Sequence, residues 1–148
     1  MKFEDSQYFH DLEHISFEFP FGQFYFMEKF MISEIIPEIH LNWDKVKELI
    51  SLAIEYYGAD AKIGFISNRI NSYSTEPESW IKLEKNYNFI VASAIVSYTP
   101  INYMNATLEK RMSKNSMKRC DNLDEAINWM LNLNEFKPKG ALTTKTKN

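Results

Sequence analysis

Residues 89–98 read Phe-Ile-Val-Ala-Ser-Ala-Ile-Val-Ser-Tyr, the most continuous apolar run in the chain. Neither an alternating nor a helical pattern interrupts it, which suits a strand covered on both faces. A shorter run, Ile63-Gly64-Phe65-Ile66, stops abruptly at Ser67-Asn68-Arg69-Ile70-Asn71-Ser72-Tyr73-Ser74, which reads as a polar loop. Thr75-Glu76-Pro77-Glu78 then spells a capping box with Pro in the first turn, so a short helix is predicted to begin there. Buried strands separated by helices define an α/β domain. In open α/β sheets ligands bind outside the carboxyl ends of strands, so the loop after Ile66 is the first place to look for function.

The other segments fit round this pair. Ile15, Phe17 and Phe19 alternate with Ser16 and Glu18, the period of a half-buried strand. Pro20-Phe21-Gly22 is a turn signal, Gln23–Met27 is rich in aromatics, and Phe30–Ile35 forms the next run before Pro37. This predicts an antiparallel meander of two or three strands. From Asn42 to Tyr57, Trp43, Val46, Leu49, Ile50, Ala53, Ile54 and Tyr57 fall on one helical face. Asn42 is the predicted N-cap and Gly58 the residue that ends the helix.

The helix after Thr75 is predicted to bury Trp80, Ile81 and Leu83. Thr99-Pro100 caps the next helix, with Ile101, Met104, Leu108 and Met112 predicted inward. Met117–Cys120 reads as a short edge strand. Asn122 caps a last helix that buries Leu123, Ala126, Ile127, Met130 and Leu131. The order is β-β-β-α-β-α-β-α-β-α: a mixed sheet of about five or six strands with an N-terminal antiparallel meander and about four helices. The predicted organisation is an N-terminal arm over 1–14, a single domain over 15–136, and a basic tail over 137–148 that reads as disordered.

Length and composition agree with one packed domain. The chain has 148 residues, 45% of them hydrophobic and 15% aromatic. Its net charge of −3 implies neither a nucleic-acid nor a membrane partner. The charge is uneven, since Lys137, Lys139, Lys145 and Lys147 carry +4 and leave the body near −7. One cysteine excludes an internal disulfide and suits a reducing compartment. The acidic N-terminus lacks the apolar core of a secretory signal, and no run approaches the roughly 18 apolar residues of a membrane span. The expected location is the cytoplasm, with no integral membrane segment.

Few motifs carry chemistry. His10-Asp11-Leu12-Glu13-His14 matches the H-x-x-E-H spelling of a zinc helix, but it lies in a short polar segment that runs straight into strand-like sequence. His40 is the only other histidine. The bland alternative is a solvated arm. Cys120 sits in a strand run, where packing is the ordinary role of a lone cysteine. Nucleotide-binding glycine motifs and G-x-S-x-G are absent from the sequence. Lys110, Arg111, Lys114, Lys118 and Arg119 gather round one helix-to-strand turn and read as a solvated face or an acidic-partner surface. Arg69 stands out as a cation directly after a buried strand, where a guanidinium could hold a carboxylate or phosphate bidentately. Asn68, Asn71, Ser72 and Tyr73 would add hydrogen bonds. Tyr98 joins them if the strands ending at Ile66 and Tyr98 are adjacent and parallel. The alternative is that these residues tie the loop to itself.

Lys62–Ser74, Val96-Ser97-Tyr98 and Leu123–Trp129, with the order of elements, resemble the SpoIIAA-like or STAS fold, as found in uncharacterised bacterial STAS/SEC14-type domains. The resemblance covers roughly residues 13–135. It implies a regulatory role without settled activity. In anti-sigma-factor antagonists of this fold, a serine after a central strand is phosphorylated by a partner kinase, in the pattern Asp-Ser followed by small residues and glycine. Here Ser67-Asn68-Arg69 stands at that point, and neither Ser72 nor Ser74 follows an Asp. The related SEC14 lipid-transfer fold implies a large apolar cavity.

Two functions follow as expectations. One is a non-catalytic regulatory or protein-interaction domain that docks through the loop and helix after the central strand, residues 62–85. The other is a binding domain for a small anionic or lipid-like ligand, with Arg69 as anchor and an enclosed pocket of at least roughly 300 Å³. No cofactor is implied. The exposed edge at Met117–Cys120 makes a homodimer a further expectation.

Overall fold

The computed structural model describes residues 1–136. A single 3-10 turn at Phe3–Asp5 and a short helix α1 (Tyr8–Asp11) lead into three strands, β1 (Ile15–Phe19), β2 (Gly22–Phe26) and β3 (Phe30–Ile35). The chain continues through β4 (His40–Leu41), α2 (Trp43–Tyr57), β5 (Ile63–Arg69), β6 (Ser74–Thr75), α3 (Ser79–Asn86) and β7 (Ile90–Ser97). It closes with α4 (Pro100–Met112), β8 (Ser116–Cys120), α5 (Leu123–Leu131) and a 3-10 turn at Asn134–Phe136.

Six strands form one sheet in the order β1-β2-β3-β5-β7-β8. The first three pair antiparallel, with Ile15 opposite Phe26 and Gly22 opposite Ile35. From β3 onward every pair is parallel, with Phe30 opposite Gly64, Ile66 opposite Ala94 and Ala94 opposite Lys118. The expected meander and mixed sheet are both present.

The side-chain alternation of the strands divides the interior into two cores. On one face Phe24, Met31, Ile35, Ile63 and Ile95 pack with Leu49, Ile50 and Ala53 of α2, Trp80 and Leu83 of α3, and Ala106 of α4. On the other Tyr25, Ile32, Ile66, Ala94 and Val96 pack with Leu123, Ala126, Ile127 and Met130 of α5 and with Phe3. Each central strand is therefore covered twice, as its unbroken apolar sequence requires.

Local signals explain most boundaries. Asn42, Thr99 and Asn122 each accept a backbone N–H three residues on, so three helices begin at side-chain caps. Gly58 ends α2 at φ +99°, a conformation that L side chains rarely adopt.

Several expectations need correction. The N-terminal arm is packed, because Phe3 is fully buried among Phe9, His14 and Tyr25. The capping-box spelling at Thr75 does not start α3. Thr75 belongs to β6, which pairs in parallel with β4, and Glu76 instead accepts the backbone N–H of Trp43 at the start of α2. The most consequential correction concerns α4. Ile101, Met104, Leu108 and Met112 face solvent, while Ala106 and Glu109 face the sheet. Ile81 and Leu131 are also exposed rather than inward. No helix among the described residues is long and apolar enough to cross a membrane. The lysine-rich stretch over 137–148 lies outside the described residues.

Candidate functional site

β5 is longer than its apolar run. It continues through Ser67, Asn68 and Arg69, which were expected in the loop, because each pairs with β7 as far as Arg69 opposite Ser97. Alternation then sends Ser67 and Arg69 to the α2–α3–α4 face and Asn68 to the other. Polar residues at a strand's end thus build two separate buried clusters.

The first cluster centres on Arg69, which is 7% exposed. Its Nη1 and Nη2 donate to Glu109 Oε2 and Oε1 at 2.5 and 2.7 Å, a bidentate pair between β5 and α4. Trp80 Nε1 donates to the same Glu109 Oε1 at 2.9 Å, which brings α3 into the cluster. Arg69 Nε donates to Ser67 Oγ at 3.0 Å, and Ser67 Oγ lies 3.3 Å from Tyr73 Oη. The Arg69 guanidinium also stands 5.8 Å from the Tyr73 ring centre. Burial opposes its charge, but Tyr73 and Glu109 outweigh that and hold its pKa above the ordinary value. Each of the three guanidinium nitrogens of Arg69 thus donates a hydrogen bond within the protein.

The second cluster lies behind the sheet. Asn68, fully buried, donates to Glu34 Oε2 at 2.7 Å and to the Met1 carbonyl at 2.9 Å, and accepts from Tyr98 Oη at 2.7 Å. Phe3 N–H donates to the same Glu34 oxygen at 2.8 Å. β5 and β7 are adjacent and parallel, so Tyr98 does meet Asn68. Burial pushes the Glu34 carboxyl up, against the lowering effect of the Phe3 and Asn68 hydrogen bonds. Burial, with Glu34 adding to it, raises Tyr98 to about 12.

The remaining expected residues lie in the loop. Asn71 Nδ2 donates to the Ile35 carbonyl at 3.0 Å, which fastens the loop to β3. The Ser72 carbonyl accepts from Glu38 N–H at 2.8 Å, and its side chain faces solvent. Ser67 is 3% exposed, whereas Ser72 and Ser74 are at the surface. Glu34 and Glu109 were not among the residues singled out in the sequence. Their only sequence signal is a carboxylate inside a largely apolar strand and a carboxylate inside a helix.

A cavity of about 70 Å³ lies beside the Arg69 cluster, lined by Phe24, Met31, Leu49, Phe65, Trp80 and Ser79 among others. It is well below the roughly 300 Å³ of a small-molecule pocket, so the anionic or lipid-like ligand is not favoured. Outside it, Glu38, His40, Ser72, Ser74, Ile101 and Asn102 border an open, shallow depression.

Cys120 keeps the packing role expected of it, whereas His14 packs on aromatic rings instead of lying in a solvated arm. His14 lies beyond the end of α1, its Nδ1 donates to the Leu12 carbonyl at 2.8 Å, and its ring packs on Phe9 and Phe3. No group of three or more metal-ligating side chains is assembled among the described residues. Cys120 is buried, and burial raises its thiol to about 12.

The fold is that of a SpoIIAA-like domain. It is similar to the crystal structure of an uncharacterised DUF3478-family protein from Shewanella loihica PV-4, described as having a SpoIIAA-like fold. The match covers 80% of this chain and 93% of that one, at 10% identity and a TM-score of 0.50. No protein-family model matches the sequence. No curated protein matches it significantly either.

Proposed function

We propose that this chain is a non-catalytic regulatory or protein-interaction domain that docks through the loop and helix after the central strand, residues 62–85. The observation that carries this reading is the internal pairing at the carboxyl end of β5. Arg69, Asn68, Glu34 and Glu109 satisfy one another, so they brace the strand end and leave no convergent set of free polar groups for a substrate. What reaches solvent there is surface: Ser72, Ser74 and the half-exposed Ile81 of α3. A shallow face with an apolar residue and a polar rim suits protein docking.

Native mass spectrometry of the purified chain, paired with cross-linking in the native extract, tests the reading. The expected result is no retained small molecule and a cross-linked protein partner that is lost on Ile81→Asp. A bound adduct lost on Arg69→Ala would replace the reading with the ligand-binding one.

A further inference from the structure

α4 turns its apolar stripe away from its own core. Ile101, Met104, Leu108 and Met112 are 64%, 65%, 48% and 38% exposed. Their spacing of three and four residues aligns them along one side of the helix, the pattern of a helix-pairing seam. The inner side is taken by Ala106, fully buried, and by Glu109, which must face inward to meet Arg69 and Trp80. A contiguous exposed stripe of this kind marks an interaction surface.

The charges at the two ends of α4 select the occupant. Lys110, Arg111 and Lys114 are exposed at its carboxyl end. At its amino end, Glu38 shares a depression with Ile101, and Asp121 shares another with Met104. Both acids are exposed. A second α4 laid antiparallel brings each basic end to the partner's acidic end. It also sets Met104 against the partner's Leu108 and Ile101 against the partner's Met112. Each contact then occurs twice, as a two-fold interface requires. The chain's own carboxyl end is a poor candidate. Phe136, the last described residue, packs on the opposite face of the sheet, and the lysines that follow share the sign of α4's carboxyl end.

We propose that the chain forms a two-fold homodimer through antiparallel α4 helices, with the Ile101–Met104–Leu108–Met112 stripe at its centre and Lys110, Arg111 and Lys114 facing Glu38 and Asp121 of the second copy. This surface is distinct from the β8 edge, whose Lys118 pairs with Glu125 of α5 and whose Arg119 donates to Thr107 of α4.

Sedimentation velocity of the full chain across the micromolar range tests it. The wild type is expected to dimerise. Met104→Glu and Leu108→Glu are each expected to raise the dissociation constant about 10-fold or more, with an unchanged far-ultraviolet circular dichroism spectrum. Arg111→Glu with Lys114→Glu weakens the dimer, and adding Glu38→Lys with Asp121→Lys restores it. A wild type that stays monomeric at the highest concentration overturns the proposal. So does a dimer that keeps its affinity in Leu108→Glu, as a β8-edge dimer would. Failure of the charge swap to restore binding overturns the antiparallel arrangement.

Discussion

Arg69 and Glu109 are 40 residues apart in sequence yet form a bidentate, almost fully buried ion pair. Both are almost fully desolvated, so each depends on the other. Glu109→Gln leaves a buried guanidinium facing a neutral amide. It is expected to destabilise the fold by about 3–5 kcal/mol, read as a lowered urea midpoint. Replacing both partners, Arg69→Met with Glu109→Leu, is expected to recover most of that loss, because the pair's desolvation then vanishes with its attraction. A double variant as unstable as Glu109→Gln would show that the pair holds α4 by more than mutual neutralisation. Glu34 makes a different prediction. Burial raises its pKa, so the native state holds a proton in a range where the unfolded chain has released it. Stability from this group is fully present below the ordinary Glu value and is lost as pH rises through the raised value. Glu34→Gln keeps an oxygen to accept from Phe3 N–H and Asn68. Its stability relative to wild type should therefore increase from acid to neutral pH, in urea titrations at each pH. A constant difference would mean that the carboxyl is not perturbed.

The strands of the six-stranded sheet are legible in the sequence, the short β4–β6 pair is not, and the facing of the helices is only partly so. β1 follows alternation because one of its faces meets solvent, and β2, β3 and β7 follow near-continuous apolar composition because they are covered on both faces. The apolar run of β5 ends at Ile66, three residues before the strand does. Ser67, Asn68 and Arg69 resemble loop residues, and their partners Tyr73 nearby and Glu34, Tyr98 and Glu109 far along the chain allow them inside a sheet. α4 faces opposite to what its apolar periodicity predicts. Its inner face is an alanine and a charged residue, so hydrophobic periodicity points outward. The arm before β1 hides its role because its one fully buried apolar side chain, Phe3, has no period. Phe3→Ala is expected to destabilise by about 3–5 kcal/mol, the range for a buried Phe, by chemical denaturation. A loss under 1 kcal/mol, roughly the scale of a surface change, would mean that the arm rests on the sheet without supporting it. Glu76 gives a smaller test. Glu76→Ala removes the acceptor at the start of α2 and should lower stability by about 1 kcal/mol.

The whole molecule is two helical layers that share one sheet, and the sharing has a thermodynamic consequence. β5 sends Ile63 and Phe65 to one core and Ile66 to the other, and β7 divides Ile95 from Ala94 and Val96 in the same way. α5 also presses close to β5. A Cβ built on Gly64 would come within 2.1 Å of Met130 Sδ, so the layer and the sheet fit without slack. Loss of either layer exposes residues on strands that the other layer needs, which makes separate melting unfavourable. The tryptophans report on this separately: Trp43 and Trp80 sit with the α2–α3–α4 layer, and Trp129 with α5. Variants retaining Trp80 alone and Trp129 alone should show coincident fluorescence transitions in urea, which also match the circular dichroism transition. Phe3→Ala should move both probes together, although Phe3 touches only the α5 side. If Trp129 instead reports an earlier transition, the α5 layer opens on its own. The sheet would then be held by the Arg69–Glu109 side alone, and the Phe3 effect would be confined to the Trp129 signal.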